Sequence, residues 1–204
     1  MKEKIIKGLK WFYQSFIWLF IIFLTIDIVT KQLVMHSGLK PNVGDYFDWG
    51  FVHIGYVLNY NAAFGLGTSN HLVSRILYLV IASLVTIGLI VYLIIKRKDT
   101  KLFIRASLVL VITGAIGNMI DRIFYAPEYA VVDWIDFFWF WDYNFNIADS
   151  CIVVAAFMII IYVIVLEVKD VLEKRKAQNT EGKVLSETEK KRLEEEQKDN
   201  DESK

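Results

Sequence analysis

Cysteine is nearly absent from this 204-residue chain. The single Cys151 excludes an intrachain disulfide and any zinc site built from several thiolates. It lies inside an apolar run, where a lone thiol behaves as a small buried hydrophobe. Histidine is scarce too. His36, His53 and His71 stand far apart with neither HExxH nor His-x-His spacing, so neither metal nor cofactor is expected. Net charge is missing as well, with 23 basic and 23 acidic side chains, but they are segregated: residues 169–204 carry ten Lys/Arg and eleven Asp/Glu. No basic patch is interleaved with exposed aromatics, so no nucleic-acid partner is expected.

What the chain has in abundance is apolar sequence, 55% by composition. Four runs, roughly 11–29, 72–95, 102–120 and 147–166, reach the length of about 20 apolar residues needed to cross a bilayer. The first follows Lys2, Lys4, Lys7 and Lys10 and is read as a retained anchor, being too long for a signal segment and lacking a small-x-small cleavage site. The expected fold class is therefore membrane α-helical, with four transmembrane helices. Residues 1–168 form the membrane domain, and 169–204 form a charged tail of short helices or disorder. Between runs one and two, residues 51–59 are β-branched and aromatic, bounded by Gly and Asn, and read as one or two short strands. The aromatic stretch 134–143 reads as an interfacial belt.

Lys and Arg favour the cytoplasmic side of short loops. The N-terminal lysines and the cluster Lys96, Arg97, Lys98 and Lys101, with Arg105 beyond it, contrast with residues 124–146, which contain no Lys or Arg. Both termini and the tail are thus expected in the cytoplasm. That orientation gathers every unusual polar residue at the extracytoplasmic face: Asp27 and Lys31, Asn118, Asp121 and Arg122, Asp133, Asn146 and Asp149.

Ionisable groups at the edge of hydrocarbon are costly unless paired or hydrated, and so are candidates for function. Asp27 and Lys31 are one helical turn apart in the favourable order. They either neutralise each other at the rim or orient a site. Gly114 and Gly117 allow a close helix contact. Asn118 and Arg122 share a helix face, and Asp121 is read as an ion pair with adjacent Arg122. Asn146 and Asp149 open the fourth run, where capping and the helix dipole suit them. Asp133 lies in an acidic, base-free loop nearby. Two carboxylates held close share a proton, so one can activate water while the other polarises a carbonyl. By spacing alone, Asp136 and Asp142 are equally available. A proton-coupled transporter would place ionisable groups at mid-span, where runs two and four have none, and a metalloprotease would need ligand spacing that is absent.

Five motifs in order carry a family likeness: Asp27-Ile28-Val29-Thr30-Lys31, Asn59-Tyr60-Asn61-Ala62-Ala63-Phe64-Gly65, Gly117-Asn118 with Asp121-Arg122, Val131-Val132-Asp133, and Phe145-Asn146-Ile147-Ala148-Asp149. Over about residues 10–168 the chain resembles the bacterial lipoprotein signal peptidases (signal peptidase II). The resemblance implies a membrane aspartyl protease that cuts diacylglyceryl-modified prolipoproteins just before the lipidated cysteine. It implies Asp133 and Asp149 as catalytic acids, with Asp27, Lys31, Asn59, Asn118, Arg122 and Asn146 supporting them. It also implies a small extracytoplasmic β-sheet, location in the bacterial cell membrane and contact with membrane lipid; a monomer is expected. Three features depart from the family: Asn61 in place of Gly, a longer stretch between Arg122 and Asp133, and a longer charged tail.

Overall fold

The computed structural model describes the backbone of residues 2–60, 70–125, 129–139 and 141–202, and side chains within those stretches except Lys2 and 181–202. Asn61 and most of the second motif, with Ala126, Pro127 and Glu128 of the stretch expected to be longer, lie outside the described residues. The chain divides into two compact units, Met1–Ile159 and Ile160–Lys204.

Five helices and four strands make up the described chain: α1 (Lys2–Ser15), α2 (Ile17–Met35), β1 (Tyr46–Asp48), β2 (His53–Asn59), α3 (His71–Ile95), α4 (Leu102–Phe124), β3 (Val131–Asp136), β4 (Asn144–Phe145) and α5 (Ile147–Glu202). α2, α3, α4 and the Ile147–Thr180 part of α5 are long and apolar enough to cross a membrane. The first span is displaced from its expected position at 11–29. The helix breaks at Phe16, which adopts a left-handed conformation (φ 58°), and restarts as α2. Ser15 reinforces the break, its hydroxyl donating back to the Phe12 carbonyl (2.7 Å) and accepting from Ile17 N–H. Asp27 and Lys31 consequently lie within the spanning helix rather than at its exit.

The tail also differs from expectation. Instead of short helices or disorder, α5 continues to Glu202. Beyond Glu167 the sequence is rich in Glu, Lys, Arg and Gln, has no proline and only Gly182, and so lacks a strong helix stop.

α4 is the central helix of the first unit, with more than half of its span buried, whereas the other spans face mostly outward. Small residues permit this. A Cβ at Gly114 would strike the Ala148 carbonyl and come within 2.6 Å of Ile152, and one at Gly117 would lie 2.7 Å from an Asp27 oxygen. The close approach anticipated at these glycines is thus made to α5 and α2. Leu110, Cys151 and Ala155 form a small core cluster, and Cys151 is the buried hydrophobe its surroundings suggested.

The strands form one antiparallel sheet in the order β1-β2-β3-β4. The strand expected within 51–59 is β2. β3 was not foreseen, so Asp133 stands on a strand rather than in a loop, and the aromatic stretch begins as that strand. Between Ile54 and Val57 the β2–β3 register slips by one residue, a bulge. Side chains alternate between faces, so the bulge sets Val57, rather than Tyr56, opposite Asp133. Asn59, opposite Val131, then shares the face of Asp133. Asn42, with φ 59°, ties the preceding loop to the same strand, donating from its N–H to Tyr56 and accepting from Leu58 N–H, both at 2.9 Å.

Candidate active site

Asn146 and Asp149 begin the construction. Asn146 caps α5, its Oδ1 accepting from Asp149 N–H (2.9 Å), while Asp149 Oδ2 accepts from Asn146 N–H (3.3 Å). This reciprocal arrangement is a capping box, with Asp in the place usually held by Glu. It satisfies two orphan donors of the helix start and fixes the Asp149 carboxylate. The side-chain amide of Asn146 remains free to donate elsewhere, and it reaches Asp133 Oδ1 at 2.7 Å. One asparagine therefore links both acids.

Asn118 on α4 repeats the device. Its Nδ2 donates to Asp149 Oδ1 at 2.7 Å, and its Oδ1 accepts from Asn146 Nδ2 (3.1 Å) and Lys31 Nζ (3.3 Å). Asn59 on β2 donates to Asp133 Oδ2 at 2.9 Å, as the shared sheet face requires. Every carboxylate oxygen of Asp133 and Asp149 thus receives a donor. Asp133 is only 2% exposed. Burial, and then the neighbouring Asp149 charge, push the Asp133 carboxyl up to about 8.

Behind the acids lies a buried ion triad. Lys31 is fully buried, with Nζ 2.8 Å from both Asp27 Oδ2 and Asp121 Oδ2. The expected Asp121–Arg122 pair is therefore replaced by Asp121–Lys31, because consecutive residues on a helix point in different directions. Each acid of the triad also takes a backbone N–H. Asp27 Oδ1 accepts from Ala148 (2.9 Å) and Asp121 Oδ2 from Val132 (3.2 Å). Ala148 immediately precedes Asp149, and Val132 immediately precedes Asp133. The Asp27–Lys31 pair is thus not a rim pair that merely neutralises itself.

Arg122 is buried, its guanidinium stacked 3.7 Å from the Tyr78 ring centroid and donating to the Asn118 carbonyl. Arg75 donates to the Arg122 carbonyl at 2.7 Å and covers the Tyr129 ring. A cavity of about 460 Å³ opens over this assembly. Asn59, Tyr78, Asn118, Arg122, Asp133 and Asp149 line its polar part; Trp141, Phe145, Ile152 and Val153 line its apolar wall. All six positions named as supporting residues are therefore gathered around Asp133 and Asp149, directly or through the triad. Asp142 also borders the cavity. Asp136 instead sits 3.7 Å from His53, in a stack formed by Tyr46, His53 and Phe138. Tyr78 was missed, since one tyrosine in an apolar run carries no signal, and the link between Asp121 and Lys31 was missed because their elements meet only in the fold. Among the described residues no cluster of three or more His, Cys, Asp or Glu side chains could hold a metal ion.

Two amide-bridged carboxylates, Asp133 buried and Asp149 half-buried at the cavity wall, beside membrane-length helices define a membrane protein equipped for acid–base chemistry. Residues 19–165 match the family model described as signal peptidase (SPase) II. The chain is 33% identical over 158 residues to a lipoprotein signal peptidase of Clostridioides difficile, covering 76% of this chain and 97% of that relative. It is 35% identical over 147 residues to one of Fusobacterium nucleatum, covering 72% and 84%. A solved bacterial membrane enzyme superposes with a TM-score of 0.61 at 28% identity, over 72% of this chain and 86% of the other. The chain belongs to the signal peptidase II family.

Proposed function

We propose that the chain is an aspartic endopeptidase that removes signal peptides from diacylglyceryl-modified prolipoproteins, with Asp133 and Asp149 as its catalytic pair. The observation that carries this reading is the amide bridge of Asn146, which holds both carboxylates at the wall of one cavity. The pair shares one proton. Asp133, the acid raised by burial and by its neighbour, keeps it at neutral pH. Asp149, ionised, draws a proton from the attacking water, while Asp133 donates to the scissile carbonyl oxygen and stabilises the charge that develops there. The proton taken up by Asp149 then passes to the leaving amine as the tetrahedral intermediate collapses. Asn59, Asn118 and Asn146 hold the carboxylates in place. Asp27 and Lys31 fix the backbone from behind, and Arg122 lines the substrate cavity.

The basic 96–101 loop supports a cytoplasmic position for that end of the bundle, for both termini and for the extension 169–204 beyond a peptidase domain of 1–168. The acids then act at the extracytoplasmic face of the cell membrane. Exposed Trp49, Phe51, Trp139 and Trp141 suit the headgroup level there, and the enzyme works as a monomer in contact with lipid. The apolar wall of the cavity suits a lipid-modified peptide. The test is cleavage by the purified protein in detergent: the diacylated prolipoprotein should be cut and the unmodified precursor spared. Equal cleavage of both, or of neither, contradicts the proposal.

A further inference from the structure

A second cavity, of about 510 Å³, runs along α4 from Arg105 near its start to Ile116 and shares no lining residue with the cavity over Asp133 and Asp149. Its walls come from α2, α3 and α4 and are apolar, with Phe20, Ile94, Ile112 and Ile116 among them. Its polar end is formed by Arg97 and Arg105, with Trp11 of α1 beside them. Arg105 is 8% exposed and lacks an acidic partner among the described residues. Its terminal nitrogens donate to the carbonyls of Gln14 (2.8 Å), Thr100 (3.1 Å) and Arg97, and its buried Nε has no partner. Arg97 likewise has no ion pair among the described residues. It lies over the Trp11 ring, 4.8 Å from the centroid, and donates to the Trp11 carbonyl.

Arg105, buried and bonded only to neutral carbonyls, is costly without a counter-ion, half-buried Arg97 adds a second positive charge beside the apolar cavity, and an anion offsets that cost. Guanidinium forks match phosphate oxygens. The remaining space takes only hydrocarbon. The required ligand therefore joins an anionic phosphate head to an apolar chain. The surroundings favour the lipid phase as its source. α1 carries Lys4, Lys7 and Lys10 together with Ile5, Ile6, Leu9, Trp11 and Phe12, a composition suited to lying in a headgroup layer. The 96–101 loop adds further positive charge at the same end. The break at Phe16 separates α1 from the spanning helix and leaves the Gln14 carbonyl available to Arg105.

We propose that this cavity binds one anionic glycerophospholipid, its phosphate on Arg97 and Arg105 and an acyl chain between α2, α3 and α4. The site is separate from the acids and stands whether or not the peptidase assignment does.

The test uses the full chain in zwitterionic detergent, with native mass spectrometry and thermal unfolding as readouts. The probes are dioleoyl phosphatidylglycerol, dioleoyl phosphatidylcholine and inorganic phosphate. Phosphatidylglycerol should remain bound and raise the melting temperature, and the other two should do neither. Arg97→Gln should weaken phosphatidylglycerol binding about tenfold or more, the scale of one charge-assisted contact. Ile94→Trp, which narrows the cavity without touching the charge, should weaken it as well. Equal retention of both lipids, the same stabilisation by inorganic phosphate alone, or unchanged binding by folded Arg97→Gln and Ile94→Trp proteins would overturn the proposal.

Discussion

Lys31 and Asp27, one turn apart on α2, form a fully buried ion pair with 2.8 Å between Nζ and Oδ2. Lys31 also holds Asp121 at the same distance. Removing one member of a buried pair leaves uncompensated charge and costs about 3–5 kcal/mol. Lys31→Met should therefore lower the melting temperature sharply and reduce proteolysis. Lys31→Met combined with Asp27→Asn and Asp121→Asn should recover part of the stability. Thermal unfolding in detergent measures both, and a single Lys31→Met change without cost would show that the triad does not hold the site.

Gly114 gives a second test. A side chain there meets the Ala148 carbonyl and Ile152, so α4 and α5 must separate. Overpacking of a filled interface costs about 1–3 kcal/mol, and the displaced element carries Asp149. Gly114→Leu should lower stability and activity together, whereas Gly88→Leu, with nothing within 4 Å of its Cβ, should leave the contacts of the bundle unchanged. Thermal unfolding and cleavage assays compare the two variants.

The charge asymmetry predicts sidedness. On a Cys151→Ser background, single cysteines at Asp45 and Lys98 should label from opposite sides of intact cells. An impermeant reagent should reach residue 45 and not 98. The reverse pattern would invert the orientation.

The raised Asp133 carboxyl makes a pH prediction with a definite sign. Below its ordinary value of 3.8 the group is protonated whether the chain is folded or not, and it has no effect on stability. Between 3.8 and about 8 the folded protein must take up a proton that the unfolded chain lacks, so the group costs stability increasingly, and fully above about 8. Asp133→Asn removes that cost. The variant's melting temperature relative to the parent should rise between pH 4 and pH 8, and parental activity should fall as pH climbs through about 8 with loss of the shared proton. A difference in melting temperature that does not vary with pH would contradict this.

Much of this was legible from residue order alone. Three of the four spans start where apolar runs start, because bilayer thickness fixes their length and polar loops bound them. Acids beside such runs are rare and drew attention to this face, but spacing left Asp136 and Asp142 equally available, and only the family motifs singled out Asp133 and Asp149. The rest depends on the fold. Phe16 breaks the first helix without a Gly or Pro to announce it. β3 was obscured because Val131–Asp136 runs on into an aromatic stretch that suits a membrane surface equally well. Lys31 and Asp121 lie on different helices, far apart in sequence, so only helix packing could reveal that Asp121 turns toward the lysine and away from Arg122. The capping box at Asn146 looked structural, and it is. The same side chain also reaches Asp133, which sequence spacing could not show.

The most direct test of the account replaces one acid at a time. Asp133→Asn and Asp149→Asn preserve size and one of the two hydrogen bonds each side chain accepts but remove the shared proton. General acid–base catalysis contributes about 10²–10⁴-fold, and groups acting as a unit lose nearly everything when either is removed. Turnover of a diacylated prolipoprotein by purified, folded variants should fall below detection for each single change, and the double change should be no worse. Asp136→Asn, on the same strand but paired with His53, should retain most activity, and chelators should have no effect. Near-normal turnover by Asp133→Asn or Asp149→Asn would contradict the central claim.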